Sequence, residues 1–128
     1  MSVSISHSTE NGADIRGIIM KMVKAILKPE RFEFVKKALE DKGFISMTIA
    51  EVRGRGEQKG ISLEYRGGLM TVDMLPKIQI EIVVKEKDVD AVITTITDSA
   101  RTGKIGDGKI FVMPVEKSIR IRTGETEV

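Results

Sequence analysis

At 128 residues, the chain is long enough for one domain with a single hydrophobic core and too short for two. Its net charge of +2 is too small by itself to indicate a nucleic acid or an anionic membrane as the partner. Cysteine is absent, which excludes disulfides, thiolate metal sites and thiol catalysis. No apolar run approaches the roughly 20 residues of a membrane span, so we expect a cytoplasmic protein.

The first 19 residues, MSVSISHSTENGADIRGII, are polar, rich in serine and without periodicity. They lack the basic start and apolar centre of a signal peptide. We therefore expect a flexible extension at 1–19 and one folded domain at 20–128. The only histidine, His7, falls in the extension, so the folded part lacks the usual general bases and zinc ligands.

The first half of the folded part predicts a strand, a helix and a second strand. The first strand covers 21–27 (KMVKAIL). The helix runs from Pro29 to Lys42, and its apolar residues recur at helical spacing: Phe32, Val35, Ala38 and Leu39. Pro29 suits a first helical position, and Gly43 suits the position just past a helix end. The second strand, at 44–54, is rich in β-branched residues.

The second half repeats this order. The segment KIQIEIVV (77–84) alternates as a half-buried strand does, a helix is predicted at 86–100, and strands follow at 109–115 and 118–123. This order predicts an α+β ferredoxin-like double βαβ sandwich, with two helices on one face of a four-stranded antiparallel sheet. The other face needs a cover, and we expect oligomerisation through the sheet to provide it.

A long connection separates the two middle strands. Residues 54–72, GRGEQKGISLEYRGGLMTV, join strands that are expected to pair, where 2 to 5 residues usually suffice. Insertions of this length are often functional. The alternative is a solvated, mobile hairpin without a function of its own.

The segment GKIGDGK (103–109) has the spacing of a phosphate-binding P-loop. It follows a predicted helix and opens a strand, the reverse of a P-loop, and Ile110 stands where Ser or Thr would hold Mg²⁺. Walker-type hydrolysis is therefore disfavoured, whereas a backbone cradle for phosphate remains open. Arg120 and Arg122 would share one face of the last strand and suit phosphate recognition. The alternatives are a tight helix-to-strand turn and a solvated edge strand.

Several segments together resemble the P-II signal-transduction family. They are MKMVKAILKP (20–29), GRGEQKG (54–60), EYRGG (64–68), VDMLPKIQIEIVV (72–84) and RTGKIGDGKIFVMPVEKSIRIRTGE (101–125). The similarity runs from Met20 to Val128. It implies a compact homotrimer that binds ATP or ADP competitively in three clefts between subunits, and it identifies the insertion with the family's T-loop.

The resemblance also implies ligand positions in this chain. The positions that match nucleotide-binding residues are Thr48, Gly54, Gly56, Glu81, Val83, Gly106, Asp107, Gly108, Lys109, Arg120 and Arg122. Those that match 2-oxoglutarate-binding residues are Gln58, Lys59, Gly60, Lys77 and Gly106. Gln58 would also complete a Mg²⁺ shell shared by ATP and 2-oxoglutarate, although the acidic Glu57 beside it could weaken either ligand.

The insertion carries the residues that would meet a partner protein. By resemblance, Tyr65, Arg66 and Gly67 form the loop tip that docks on the cytoplasmic face of an ammonium transporter; a nitrogen-assimilation enzyme is the alternative partner. The positions modified in some family members are Met70 and Gly68 here, so we expect no covalent modification. Membrane association would arise only through the transporter.

Two other classes of function are disfavoured by the residues. An enzyme would have to work without histidine, cysteine or the Walker Ser or Thr, so rapid turnover is not expected. An RNA-recognition module shares the predicted sheet but needs exposed aromatic residues on the central strands. Strand 77–84 presents Lys77, Gln79 and Glu81 instead, so no nucleic-acid partner is expected.

Overall fold

In the computed structural model, residues 18–56, 61–65, 68–72 and 74–127 are described, with the backbone alone for 61–65 and 68–72. The predicted extension therefore lies almost wholly outside the described residues. The elements in chain order are β1 (Met20–Leu27), α1 (Phe32–Asp41), β2 (Thr48–Gly54), β3 (Ile61–Tyr65), β4 (Gly68–Val72), β5 (Leu75–Lys85), α2 (Val89–Ala100), β6 (Gly108–Val115), β7 (Ser118–Ile119) and β8 (Thr126–Glu127). A single 3-10 turn precedes each helix, at Pro29–Arg31 and Glu86–Asp88.

Four strands form the main sheet in the order β2-β5-β1-β6, with every neighbouring pair antiparallel. Both helices cover one face, because the buried core joins alternate residues of β1 and β5 to one side of each helix. The core residues are Val23, Ala25, Leu27, Ile80 and Ile82 from the strands, and Val35, Leu39, Val92, Ile96 and Ala100 from the helices. The predicted ferredoxin-like α+β fold is confirmed.

The second strand begins later than predicted, at Thr48 rather than at residue 44. The reason lies in how α1 ends. Gly43 adopts a positive φ of 89° and donates its N–H to Glu40, while the N–H of Phe44 returns to the carbonyl of Leu39. These bonds satisfy carbonyls at the helix end, and residues 44–47 are used in the turn that follows.

The predicted last strand, 118–123, is wrong beyond Ile119. The N–H of Arg120 donates to the Glu125 carbonyl, and the N–H of Gly124 donates to the Arg120 carbonyl. Gly124 has a φ of 72°, a conformation that glycine adopts at little cost. The chain therefore reverses and returns as β8, so Arg120 and Arg122 lie in a turn and not on one face of a strand. We call residues 118–127 the terminal hairpin.

The insertion leaves and rejoins the main sheet at adjacent points, since Gly54 of β2 pairs with Leu75 of β5. Between them, β3 and β4 form a separate antiparallel pair that runs from Ile61 opposite Val72 to Tyr65 opposite Gly68. The long connection between paired strands is thus confirmed, and a hairpin lies within it.

Candidate functional site

One end of the main sheet gathers three connections. The carboxyl end of β1 lies between the amino ends of β5 and β6, because Leu27 is opposite both Ile78 and Gly108. The insertion leaves β2 at the same end, beside Leu75. The β1–α1 connection, the base of the insertion and the segment that joins α2 to β6 therefore meet there. We call that last segment, residues 101–109, the glycine loop.

The glycine loop uses its glycines where other residues would be strained. Gly103, Gly106 and Gly108 have φ values of 80°, 91° and 107°. At Gly108 a Cβ would lie 1.8 Å from the Ile26 carbonyl oxygen, so no larger residue fits without moving the backbone. As the sequence predicts, the loop follows a helix and opens a strand.

The carboxylate of Asp107 turns back onto the loop, and its side chain is 24% exposed. One oxygen, Oδ2, accepts the N–H groups of Thr102 and Gly103, each at 2.9 Å. The other, Oδ1, accepts the Thr102 hydroxyl and lies 3.4 Å from the Lys28 ammonium. The bond from the Thr102 hydroxyl, followed by its backbone N–H, holds the pKa of this carboxyl well below its usual range.

Two lysines approach Gly106 from different parts of the chain. Lys77 of β5 donates to the Gly106 carbonyl at 2.8 Å. A Cβ at Gly106 would lie 3.6 Å from Lys77 Nζ and 3.5 Å from Lys28 Cε. Gly54 is close as well, since a Cβ there would lie 3.8 Å from Lys77 Cγ. The structure thus brings together three predicted site residues, Gly54, Lys77 and Gly106.

Sequence reasoning assigned Lys28 no role. A lysine before proline carries no signal of its own. The strand register is what brings it to the loop, because Lys28 follows directly on Leu27, the residue opposite Gly108.

The open face of the sheet continues away from this end. Thr48 of β2 lies opposite Glu81 of β5, and Glu81 lies opposite Lys24 of β1, with which it forms a 3.5 Å ion pair. Lys109 of β6 and Val83 of β5 lie on the same face of the sheet. The Val83 side chain is 41% exposed. The face therefore changes from cationic near the glycine loop to apolar further along.

The predicted arginines lie apart from this cluster. Arg120 pairs with Glu127 inside the terminal hairpin, at 3.2 Å, and Arg122 lies in its turn. Neither has a recorded bond to the glycine loop among the described residues. Gly56 is exposed just past the end of β2.

The remaining predicted residues fall mostly outside the described ranges. These are Gln58, Lys59, Gly60, Arg66 and Gly67. The backbone of Tyr65 ends β3, and Gly68 and Met70 belong to β4.

The described residues provide no group of three or more histidine, cysteine, aspartate or glutamate side chains that could hold a metal ion. The predicted protein ligand for Mg²⁺, Gln58, lies outside them. Among the same residues, no helix is long and apolar enough to cross a bilayer.

Comparison with known proteins agrees with this architecture. The model of the family described as "Nitrogen regulatory protein P-II" matches residues 20–125. The chain is 56% identical over 109 residues to nitrogen regulatory protein P-II 2 of Methanothermobacter thermautotrophicus, covering 85% of this chain and 95% of that protein. It is 54% identical over 106 residues to the P-II protein of Nostoc punctiforme, covering 83% and 95%.

A solved structure is similar as well. The Arabidopsis thaliana PII protein bound to citrate matches with a TM-score of 0.66 and 41% identity, over 84% of each chain. With the sequence motifs, the sheet order and the glycine loop all in agreement, the chain belongs to the P-II family of nitrogen regulatory proteins.

Proposed function

We propose that the chain is a signal transducer that binds ATP or ADP in clefts between the subunits of a homotrimer and controls a partner protein through its insertion. The observation that carries this proposal is the glycine loop, which is formed within one chain and lies at the base of the insertion. Gly106 and Gly108 keep side chains away from its backbone, so N–H groups can approach an anion closely. Lys109, Lys77 and Lys28 supply positive charge around it.

The trimer accounts for two features that one chain leaves incomplete. Apolar side chains on the open sheet face, including Val83 and Phe111, are 41% and 45% exposed, and a second copy would cover them. Arg120 and Arg122 lie in the terminal hairpin, and among the described residues neither bonds to the glycine loop of its own chain. A neighbouring subunit's cleft would receive them, and their guanidinium groups suit phosphate oxygens.

We assign the nucleotide base and sugar to the open face beside the loop, around Thr48, Glu81 and Val83, with Gly54 and Gly56 at its border. A carboxylate such as Glu81 can accept hydrogen bonds from sugar hydroxyl or base amino groups. Gly106, Gly108 and Lys109 would hold the phosphates that ATP and ADP share.

A second ligand, 2-oxoglutarate, would bind between the insertion and the glycine loop. Lys77 would pair with one of its carboxylates, and backbone N–H groups of Gln58, Lys59, Gly60 and Gly106 would complete the anion site. When bound, Mg²⁺ would reduce the repulsion between a triphosphate and the keto acid, with Gln58 contributing a ligand. The citrate in the Arabidopsis thaliana relative supports binding of a small carboxylate in this family.

The partner we propose is an ammonium transporter, met at its cytoplasmic face by Tyr65, Arg66 and Gly67. Ligands at the base of the insertion could change which of its conformations is populated, because each ligand makes different contacts there. Arg66→Ala should abolish capture by the transporter and leave ADP affinity unchanged. Arg53→Ala, which removes an arginine of β2, serves as the matched control. Equal capture by the Arg66 variant would contradict this assignment.

The test of ligand binding is calorimetric titration of the full chain with ATP and with ADP, each with Mg²⁺ and with or without 2-oxoglutarate. Binding of both nucleotides, with 2-oxoglutarate binding only beside Mg-ATP, is the expected result. If 2-oxoglutarate never binds, the alternative function holds: the protein senses adenylate state alone and acts on a nitrogen-metabolism enzyme. The negative charge of Glu57 would then be the reason that 2-oxoglutarate does not bind. If neither nucleotide binds, the proposal fails.

A further inference from the structure

Asp107 is not arranged as a phosphate ligand, although the resemblance implies that role. Both carboxylate oxygens already accept hydrogen bonds from within the chain, two at Oδ2 and one at Oδ1, with the Lys28 ammonium near the latter. A carboxylate turned outward would in addition repel an anionic ligand. The acid therefore serves the loop and not the ligand.

Thr102 is the centre of this arrangement. Its hydroxyl donates to Asp107 Oδ1 and accepts from the backbone N–H of Lys104 at 3.2 Å and from Lys28 Nζ at 3.3 Å. One hydroxyl thus joins Lys104 and Asp107 of the loop to Lys28 of the β1–α1 connection. Thr102 was not among the residues that sequence reasoning singled out.

We propose that Thr102 and Asp107 form a latch that holds the glycine loop in its phosphate-binding shape before the ligand arrives. In this role Thr102 is a positioning residue, and Asp107 does not contact the phosphates. This inference rests on the proposed nucleotide binding and states how the site is prepared for it. A loop ordered in advance loses less conformational entropy on binding, and binding is tighter as a result.

The latch is tied to rigid elements on both sides. Lys28 follows β1 directly, and three residues later Arg31 donates through Nε and Nη2 to the Ser99 carbonyl, at 3.1 and 2.6 Å. Ser99 lies in the last turn of α2, two residues before the loop begins. The β1–α1 connection therefore holds the start of the loop through Arg31 and its interior through Lys28.

Three variants separate the roles, and a fourth serves as the control. Thr102→Val keeps the shape of the side chain but removes every hydrogen bond of the hydroxyl, and Thr102→Ser keeps the hydroxyl. Asp107→Asn removes the charge that the latch uses. Thr94→Val, at an exposed position of α2, makes the same chemical change away from the loop.

ADP without Mg²⁺ is the probe, titrated by calorimetry into each full-length variant. Thr102→Val loses all three hydrogen bonds of the hydroxyl, and we expect about tenfold weaker binding from the less ordered loop. We expect Thr102→Ser to bind within about twofold of wild type, because it retains the same bonds. Asp107→Asn should also bind more weakly. Tighter binding by Asp107→Asn would mean that the carboxylate faces the phosphates, and unchanged binding would mean that its charge does not support the loop; either result would overturn the latch.

A second measurement needs no ligand. Hydrogen exchange of the Gly103 amide, which donates to Asp107, should be faster in Thr102→Val than in wild type and normal in Thr102→Ser. Wild type that binds no ADP would refute the proposed function, while the exchange rates would still test the latch. Wild-type affinity together with wild-type exchange in Thr102→Val would refute the latch alone.

Discussion

The glycine loop and the terminal hairpin make an instructive pair. Each is a short, glycine-containing segment that carries residues predicted to bind phosphate. In the loop, Lys77 bonds the segment to β5 and Lys28 bonds it to the β1–α1 connection, while Thr102 and Asp107 bond to each other within it. In the hairpin, the recorded bonds are internal: Arg120 with Glu127, and the backbone bonds of the turn.

This difference distinguishes a loop whose shape is held within one chain from a hairpin that only supplies residues to a site. The loop has its shape and its charge within the chain. The hairpin offers two exposed arginines on a turn, and an exposed ion pair such as Arg120–Glu127 contributes little to stability. The hairpin is therefore the part of the chain that depends most on a second copy for its proposed role.

The largest expected effect comes from comparing two glycines that both have a positive φ but differ in their surroundings. Gly108→Ala would push a Cβ to 1.8 Å from the Ile26 carbonyl, whereas nothing lies within 4 Å of a Cβ at Gly124. Since the backbone of β1 must move, we expect Gly108→Ala to lower the free energy of unfolding by about 3 kcal/mol or more. Gly124→Ala should cost about 1 kcal/mol, for the positive φ alone.

Urea unfolding of the two variants measures this difference, with nucleotide titration as a second readout. ADP binding should be lost in Gly108→Ala even under conditions in which the variant is still folded. Equal losses of stability would show that the loop is no more tightly packed than the hairpin, and would remove the basis of the comparison.

The sequence predicts the loop better than the hairpin, for a physical reason. Hydrophobic periodicity reports contacts with a core, and it located β5 and α2 to within about two or three residues at each end, as expected for such patterns. The alternation in SIRIRT is typical of a strand. Arg120, Ile121 and Arg122 are nevertheless exposed, and they pair with no strand among the described residues. The backbone bonds around Gly124 then decide the conformation.

Within the site, spacing identified glycines but not their neighbours. Gly106 and Gly108 stood out as phosphate-cradling positions, and the structure adds that Gly108 is also required by the close passage of β1. Lys28 meets the loop through tertiary contacts, and the bond from Thr102 to Asp107 depends on the backbone shape of the loop; nothing in the local sequence indicates either. The insertion's tip, with Arg66, remains a prediction from the resemblance.

A smaller effect, on binding alone, tests whether the hairpin serves another subunit. Arg120→Ala and Lys109→Ala should each weaken ADP binding by about tenfold, since each removes one charged contact with phosphate. Neither should change the free energy of unfolding by more than about 0.5 kcal/mol, because both side chains are exposed.

Mixing the two variants sharpens this test. If the hairpin of one subunit completes the loop of another, co-refolded Arg120→Ala and Lys109→Ala chains should regain some tight sites, where an intact loop meets an intact hairpin. Each variant refolded alone is the control. No recovery in mixed assemblies would indicate that Arg120 acts within its own chain or not at all.

The smallest expected effect is a resistance to acid that should be visible in the loop and not in the hairpin. The pKa of the Asp107 carboxyl is lowered in the folded state, first by the Thr102 hydroxyl, so its stabilising contribution is present above the unfolded pKa of about 3.9 and is lost only as the pH falls through the lower folded value. Corrected for intrinsic exchange, protection of the Gly103 amide should therefore stay constant as the pH falls from about 7 through about 3.9, the value at which an ordinary Asp carboxyl is half protonated. The Gly124 amide donates to a backbone carbonyl and provides an internal reference without a titrating acceptor.

In Thr102→Val the carboxyl loses its strongest donor, its pKa rises, and protection should begin to fall at a higher pH than in wild type. Loss of Gly103 protection near pH 4 in wild type, at the ordinary Asp value, would mean that the carboxylate is not held as described, and that the loop is no better ordered than the hairpin.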